Sequence, residues 1–291
     1  MGGTGKTPVV AAIAQWLLAQ GHRPAILSRG YARADDADGV VVVSDGQAIT
    51  ATLGRSGDEP LMLARHVPGA IVCVSPERYL AGALAERQLG ATIHVLDDGF
   101  QHVELARDVD VLVTTVGEIA NGKVIPLGRL REPMDAAARA HVLVVSDATA
   151  GAASAEAWAL GISQSCGALR TLGAPVGIGE QGSGIKERVL AVAGIAHPDR
   201  FVTGLKDAGW NVVDAMVFRD HHRYTASDVA AIAAKASSVG ADAVFTTDKD
   251  AVRLETAVEA GLLTGVPVYR VPVTVTFDPP DALFATVKAV L

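Results

Sequence analysis

The chain has few aromatic residues, only two cysteines, no excess of positive charge and no long apolar run. Cys73 and Cys166 have no metal-binding spacing and form no disulfide framework, so a reducing compartment fits them. A formal net charge of −7 excludes a global basic field for nucleic acid, and any phosphate site must be built locally. No run approaches the roughly 20 apolar residues of a membrane span. Contact with a membrane would therefore use a surface patch or a segment outside this sequence.

The 291 residues are 49% hydrophobic, mostly through Ala and Val, which suits helices packed on buried parallel strands. Short apolar runs alternate with helical periodicity, and this order predicts an α/β fold with a parallel sheet and right-handed crossovers. Residues 148–184 are rich in Ala, Gly and Ser and are predicted to be a linker or small bridging element. The predicted strands are 25–27, 40–43, 70–74, 92–96, 109–114, 141–145, 188–192, 212–217, 243–246 and 268–271. The predicted helices are 9–21, 59–66, 77–87, 134–140, 198–208, 226–237 and 249–257.

The sequence opens on a glycine-rich phosphate loop, Gly-Gly-Thr-Gly-Lys-Thr over residues 2–7, followed by a predicted helix. Small residues let successive backbone N–H groups face phosphates, while the lysine reaches the β/γ oxygens and the threonine holds Mg²⁺. The full pattern would begin before Met1, so the signal is incomplete, and a glycine-rich turn without a ligand is the alternative. The predicted ATP-binding residues are Gly2, Gly3, Thr4, Gly5, Lys6 and Thr7.

Two acids follow an apolar strand at residues 92–96, where Asp97 and Asp98 precede Gly99. A nucleotide site needs a carboxylate at the end of a neighbouring strand to hold Mg²⁺, and these are the candidates, with Thr7 as the third. A plain Asp-Gly turn is the alternative.

Further segments stand in a fixed order behind the loop. They are residues 28–31 (Ser-Arg-Gly-Tyr), 57–60 (Gly-Asp-Glu-Pro), 97–102 (Asp-Asp-Gly-Phe-Gln-His), 130–133 (Leu-Arg-Glu-Pro), 218–224 (Phe-Arg-Asp-His-His-Arg-Tyr) and 246–250 (Thr-Thr-Asp-Lys-Asp). With the loop ahead of them, this ordered set resembles the tetraacyldisaccharide 4′-kinase family over almost the whole chain.

The resemblance implies a RecA-like P-loop NTPase core with a parallel sheet and a second, smaller C-terminal α/β domain. We expect the kinase core over residues 1–150, and the linker with the smaller domain over residues 151–291. The implied reaction is ATP- and Mg²⁺-dependent phosphorylation of the 4′-hydroxyl of tetraacyldisaccharide 1-phosphate, which gives lipid IVA in lipid A synthesis. The implied partners are this acylated glucosamine disaccharide and the cytoplasmic face of the bacterial inner membrane, to which the protein binds peripherally.

The resemblance also assigns residues. Asp58 is the implied catalytic base, His221 its partner, and Lys6 the catalytic lysine of the loop. The residues implied to line the substrate cleft are Tyr31, Arg78, Gln101, His102 and Arg131.

One departure concerns the start of the sequence. The family carries a membrane helix and a strand ahead of the loop, and Met1 stands where the family commonly has Val. We therefore expect a truncated or mis-started chain.

The chemistry can also be weighed without the family. Asp58 stands at a predicted helix start, where the helix dipole keeps a carboxylate anionic, so it needs support from a group such as His221 to act as a base. A simple N-cap is the alternative for Asp58, and a solvated loop before a capping box at Thr225 and Asp228 is the alternative for His221.

Arg29, Arg78 and Arg131 each follow a predicted strand or lie in a loop on the side of the sheet where ligands are expected, and guanidinium forks suit phosphates. A solvated surface arginine is the alternative for each of them. Residues 247–250 receive no chemistry, because they are explained by capping of the next helix. Two other functions stay open: another small-molecule P-loop enzyme, such as a ligase of the dethiobiotin-synthetase kind, and an inactive nucleotide-binding protein.

Overall fold

The computed structural model describes residues 4–30, 39–118, 122–128, 130–178, 187–259 and 265–291. The strands are β1 Pro24–Ser28, β2 Val41–Asp45, β3 Ile71–Val74, β4 Ile93–Leu96, β5 Val111–Thr115, β6 Val142–Ser146, β7 Gln164–Leu172, β8 Val176–Gly177, β9 Arg188–Ala193, β10 Asn211–Val217, β11 Ala243–Thr247, β12 Val268–Val271 and β13 Val273–Asp278. The helices are α1 Lys6–Ala19, α2 Leu53–Ser56, α3 Asp58–His66, α4 Arg78–Leu89, α5 Ala150–Leu160, α6 Pro198–Asp207, α7 Ala226–Ser238, α8 Asp248–Glu259 and α9 Asp281–Lys288, with a 3-10 helix over Met134–Arg139.

Two four-stranded sheets share the helix that follows the phosphate loop. Their strand orders are β2-β3-β1-β4 and β13-β7-β6-β5. One face of α1 packs Val10 and Ala14 against the first sheet, and another face packs Val9 and Ile13 against the second. All five residues of β1 are buried, as are all five of β6, which explains why these strands are continuous apolar runs. The described end of the loop, at residues 4–7, therefore leads into a helix that is held between both sheets.

A cavity of about 780 Å³ lies beside the phosphate loop, between the edge strands of these two sheets. Its walls include β4 and β5, which stand at the ends of their strand orders. Val9 and Ile13 of α1 line its apolar part.

The third sheet has the order β10-β9-β11-β12-β8 and carries the second group of predicted site residues. The pairs β10–β9, β9–β11 and β11–β12 are parallel, so their carboxyl ends lie at one edge. Helix α7 begins at this end with the predicted capping box, in which Thr225 and Asp228 bond reciprocally. Helix α8 follows β11 directly and packs against α3 of the first sheet, which brings the two groups of site residues together.

Parallel pairing dominates the sheets, as predicted, but each sheet also carries one antiparallel strand. Strands β2, β8 and β13 pair antiparallel, and each lies at a sheet edge, where no crossover helix is needed. The predicted helix 134–140 is a 3-10 helix.

Residues 148–184, expected to be a linker, contain α5 and β7. Alanine favours helix strongly even where an amphipathic pattern is weak, which accounts for α5. Since β7 pairs with β6 and β13, strands on both sides of residue 150 belong to one sheet, and the chain returns to it after β12. A division into domains stays a proposal, and this pairing favours the five strands β8 to β12 as the core of the smaller unit. Across the part of the chain that is described, no helix combines the length and hydropathy needed to cross a membrane.

Candidate active site

The phosphate loop leads into α1 through a glycine that the packing requires. Gly5 has φ +86° and forms the N-cap of α1 without a side-chain cap. A Cβ at Gly5 would stand 2.6 Å from the hydroxyl of Ser146, and that hydroxyl donates to the carbonyl of Thr4 at 2.7 Å. The N-terminal N–H groups of α1 are therefore left to an anion rather than to a capping side chain. Gly2 and Gly3 lie outside the described residues.

Lys6 and the end of β4 are joined by a charge cluster. The Nζ atom of Lys6 lies 3.2 Å from Oδ1 of Asp98, and Nη1 of Arg131 donates to Oδ2 of Asp98 at 2.7 Å. The same Nη1 lies 3.3 Å from Oε1 of Gln101. Burial alone would raise the pKa of Asp98, but the bonds and charges of Arg131 and Lys6 hold it below its usual value. Asp98 thus stays ionised between two cations.

Asp97 differs from its neighbour because it is buried beside other carboxylates. Burial, then the charges of Glu59 and Asp98, raise the pKa of Asp97 to about 7, against the opposing charges of Lys6 and Arg78. A carboxyl held in this way gains from a nearby cation, which fits Mg²⁺. Groups of three or more metal-ligating side chains are not found in the described ranges. In nucleotide sites, phosphate oxygens and water supply most of the Mg²⁺ ligands.

Arg78 is a buried cation at the start of α4. Its Nη1 donates to the carbonyls of Ser75 and Pro76 at 3.2 Å, while Nε has no partner among the residues described. Burial, then the charge of Arg29, lowers the pKa of Arg78, whereas Asp97 and Asp98 oppose the change. An unpartnered N–H on a buried guanidinium suits an anionic group such as a phosphate.

Part of the predicted ligand set shares the cavity described above. Lining side chains include Thr4, Lys6, Asp98, Gln101 and Arg131. His102 contributes a turn, because its N–H donates to the carbonyl of Gly99 at 2.9 Å, and within the described residues its imidazole makes no hydrogen bond. Tyr31 lies outside the described residues.

Asp58 and His221 come together from different units of the fold. Nδ1 of His221 lies 3.2 Å from Oδ2 of Asp58. Asp58 begins α3, and His221 stands in a turn after β10 with φ +59° and its N–H bonded to the carbonyl of Gly194. A positive φ is uncommon for a residue other than glycine, and here it falls at the candidate site.

Arg253 completes this pair, and sequence reasoning missed it. Its Nε donates to Oδ2 of Asp58 at 2.9 Å, and Nη2 also contacts that oxygen. Burial would raise the pKa of Asp58, but the bond and charge of Arg253, and then those of His221, lower it. Asp58 is therefore a carboxylate at neutral pH.

Glu59 links the two groups of site residues. Its charge raises the pKa of the buried Asp97, and its Oε1 lies 3.9 Å from Nζ of Lys249, whose own Nζ is 3.1 Å from Nε2 of His221. The acidic end of β4 and the Asp58–His221 pair thus border one region.

Comparison with known proteins matches this chain to one family and to relatives that carry the same name. The family described as tetraacyldisaccharide-1-P 4′-kinase matches residues 1–291. The tetraacyldisaccharide 4′-kinase of Geobacter metallireducens is 39% identical over 260 residues, which cover 87% of this chain and 76% of that protein. The enzyme of that name from Geobacter sulfurreducens is 38% identical over 297 residues, which cover 100% of this chain and 81% of the relative.

A solved structure agrees. A crystal structure of LpxK from Aquifex aeolicus in complex with ATP aligns with a TM-score of 0.76 and 26% identity, covering 99% of this chain and 85% of that one. This likeness confirms the α/β P-loop class expected from the sequence. The chain belongs to the tetraacyldisaccharide-1-P 4′-kinase family.

Proposed function

We propose that this protein transfers the γ-phosphate of ATP to the 4′-hydroxyl of tetraacyldisaccharide 1-phosphate, the step of lipid A biosynthesis that gives lipid IVA. The observation that carries the proposal is the family match over residues 1–291, and the charge cluster at the phosphate loop supports it. Phosphoryl transfer needs positioning, neutralisation of charge and a group that takes the hydroxyl proton, and each need has a candidate here.

Asp58 is the proposed base. The sugar oxygen bonds to the γ-phosphorus while the bond from that phosphorus to the β–γ bridging oxygen breaks. ADP leaves with the electron pair of the broken bond, and the hydroxyl proton passes to the Asp58 carboxylate. His221 and Arg253 hold this carboxylate in place through its Oδ2 atom.

Lys6 and the loop backbone bind the β- and γ-phosphates in this proposal. Mg²⁺, when bound, neutralises charge on the phosphate oxygens, and Thr7, Asp97 and Asp98 would hold it. The remaining predicted residues are assigned to the substrate side, where arginines suit the 1-phosphate and polar groups suit the sugar. These residues are Tyr31, Arg78, Gln101, His102 and Arg131.

Peripheral binding at the cytoplasmic face of the inner membrane is part of the proposal. A substrate with four acyl chains stays in a bilayer, so its headgroup must be reached at the surface. ATP supplies the second substrate from the aqueous side.

The test is direct transfer of label. The protein is incubated with γ-labelled ATP, Mg²⁺ and tetraacyldisaccharide 1-phosphate in detergent micelles, and the lipid fraction is separated by thin-layer chromatography. We expect labelled bis-phosphorylated lipid, none with a lipid already phosphorylated at the 4′ position, and none from Lys6→Ala. Release of labelled inorganic phosphate without labelled lipid would overturn the proposal in favour of a simple ATPase.

A further inference from the structure

Helix α8 starts at Asp248, within the segment 247–250, and carries two cations that reach the Asp58–His221 pair. Lys249 approaches from one side of the imidazole, with Nζ 3.1 Å from Nε2 of His221. Arg253, one turn later, approaches the other side, with Nη2 3.2 Å from Nδ1. Helix capping explains neither cation, since both side chains reach across to groups outside α8.

The imidazole of His221 makes three polar contacts, and its two neutral tautomers can be compared by how many of these contacts each one satisfies. An ammonium group only donates, so the contact with Lys249 requires an unprotonated Nε2, and the neutral ring then carries its proton on Nδ1. That proton is donated to Oδ2 of Asp58, at 3.2 Å. The other tautomer would place Nε2–H against the ammonium and a bare Nδ1 against a carboxylate oxygen, which leaves only the contact with Arg253 satisfied. The Nδ1–H form satisfies two contacts and is favoured.

The guanidinium of Arg253 is also held by the buried carboxylate of Asp250. The Arg253 side chain is 4% exposed, and Nη1 lies 3.3 Å from Oδ1 of the fully buried Asp250. Asp250 in turn accepts from the N–H of Gly194 at 2.9 Å and from the hydroxyl of Thr247 at 2.7 Å. The guanidinium therefore cannot swing away without breaking a buried network.

The contacts of His221 and Arg253 with Asp58 all involve one carboxylate oxygen and leave the other without a hydrogen bond from the described residues. Arg253 and His221 both bond Oδ2, and within the described part of the chain Oδ1 accepts no hydrogen bond. One oxygen is held, and the other is available to a substrate hydroxyl.

We propose that Lys249 is a positioning residue that holds His221 as its Nδ1–H tautomer, donating to Oδ2 of Asp58, while Arg253 holds the same Oδ2, so that Oδ1 is left to take the substrate proton. This inference rests on the proposed function for its catalytic meaning, whereas the tautomer itself does not. His221 acts in this arrangement as an orienting donor, and the proton stays on Asp58 until product leaves.

The experiment reads the tautomer by ¹⁵N NMR on protein labelled at histidine. The resonances of His221 are assigned by their loss in His221→Gln. In the unaltered protein at neutral pH we expect a protonated Nδ1 and an unprotonated Nε2. In Lys249→Met we expect the Nε2 shift to move towards the protonated position, together with a fall in kcat of about 10-fold and an unchanged KM for ATP.

Controls separate this from a general loss of structure. Lys235→Met removes an exposed lysine that pairs with Asp214 on the same unit, and it should leave both nitrogen shifts and kcat unchanged. Arg253→Lys keeps the charge but not the fork, and we expect reduced kcat with native circular dichroism.

Protonated Nε2 in the unaltered protein, or unchanged His221 shifts in Lys249→Met, would overturn the inference. Because the shifts need no turnover, they remain decisive if the transfer assay of the proposed function fails.

Discussion

Nδ1 of His221 lies 3.2 Å from Oδ2 of Asp58, although 163 positions separate the two residues in the chain. The contact depends on α3 packing against α8, since Arg253 of α8 also bonds Asp58. The candidate site is therefore assembled by the interface between two sheets, and its chemistry can be tested from either side.

Replacement of Asp58 tests the base. Asp58→Asn keeps the shape of the side chain but leaves a neutral amide, which takes no proton. We expect kcat to fall by about 10²–10⁴-fold, with little change in KM for ATP because the phosphate-loop contacts remain. Steady-state kinetics at varied ATP measure this, with the exposed Asp207→Asn as the matched control. Equal losses in kcat and ATP affinity would contradict the role of base.

Removal of Arg253 tests what holds the pKa of Asp58 down. Burial raises that pKa and Arg253 contributes most to lowering it, so the pKa should rise in Arg253→Met. A base works only when unprotonated, so the acid limb of the kcat/KM profile moves to higher pH in the variant. Profiles from pH 4 to 8 check the direction, and Lys249→Met reports the effect of removing a neighbouring charge that does not bond Asp58. An acid limb that stays in place would show that Asp58 is not the group titrating.

Much of the fold could be predicted because its signals are local. The buried run of β1 and the periodicity of α1 each lie in one segment, and their positions agree within a few residues. The segment 148–184 was missed because α5 is mostly alanine and its one large aromatic, Trp158, is exposed. The return of β13 to β7 was missed because no local pattern records a pairing between strands that are about a hundred residues apart.

The residues of the candidate site that lie in local motifs could be predicted, whereas a residue that is joined to the site only by a long-range contact could not. Lys6 and Asp98 were singled out from motifs, and the structure brings them to 3.2 Å. Arg253 was not singled out from the sequence, because it lies inside a helix with no motif around it and its partner Asp58 is 195 positions away. The only available signal was the segment 247–250 one turn earlier, which helix capping explained equally well.

The acidic end of β4 gives a prediction about Mg²⁺. Asp97→Asn removes a buried carboxyl whose raised pKa reflects burial and then the nearby charges of Glu59 and Asp98. We expect the variant to need a higher Mg²⁺ concentration for half-maximal activity, since an amide attracts the ion less strongly. Activity titrated with Mg²⁺ after chelation measures the shift, with Asp207→Asn as control. An unchanged Mg²⁺ requirement would remove Asp97 from the proposed metal-holding set.

The capping box of α7 makes stability depend on pH. Backbone and side-chain bonds from Thr225, then His222, lower the pKa of Asp228 from 3.8 to about 2. The folded state thus binds fewer protons here than the unfolded state, so the contribution is complete above about pH 4 and is lost as the pH falls towards 2. The difference in unfolding free energy between the unaltered protein and Asp228→Asn, from urea titrations at pH 7, 5 and 3, should be smallest at pH 3. A difference that grows as the pH falls would refute this.

Asp248 ties the two units together, and its loss should weaken them. Its Oδ1 accepts from Arg270 at 2.6 Å and its Oδ2 lies 3.1 Å from Nδ1 of His66, the last residue of α3. Asp248 is 8% exposed, so Asp248→Ala leaves a mostly buried guanidinium without its partner. We expect a loss of roughly 3 kcal/mol in unfolding free energy, measured by urea denaturation, against a loss near zero for the exposed Asp207→Ala. Because the contact between Asp248 and His66 also joins α8 to α3, the variant should lose transfer activity at a lower urea concentration than the one that unfolds it. Coincident loss of activity and structure would show that Asp248 supports the fold as a whole rather than the contact between α3 and α8.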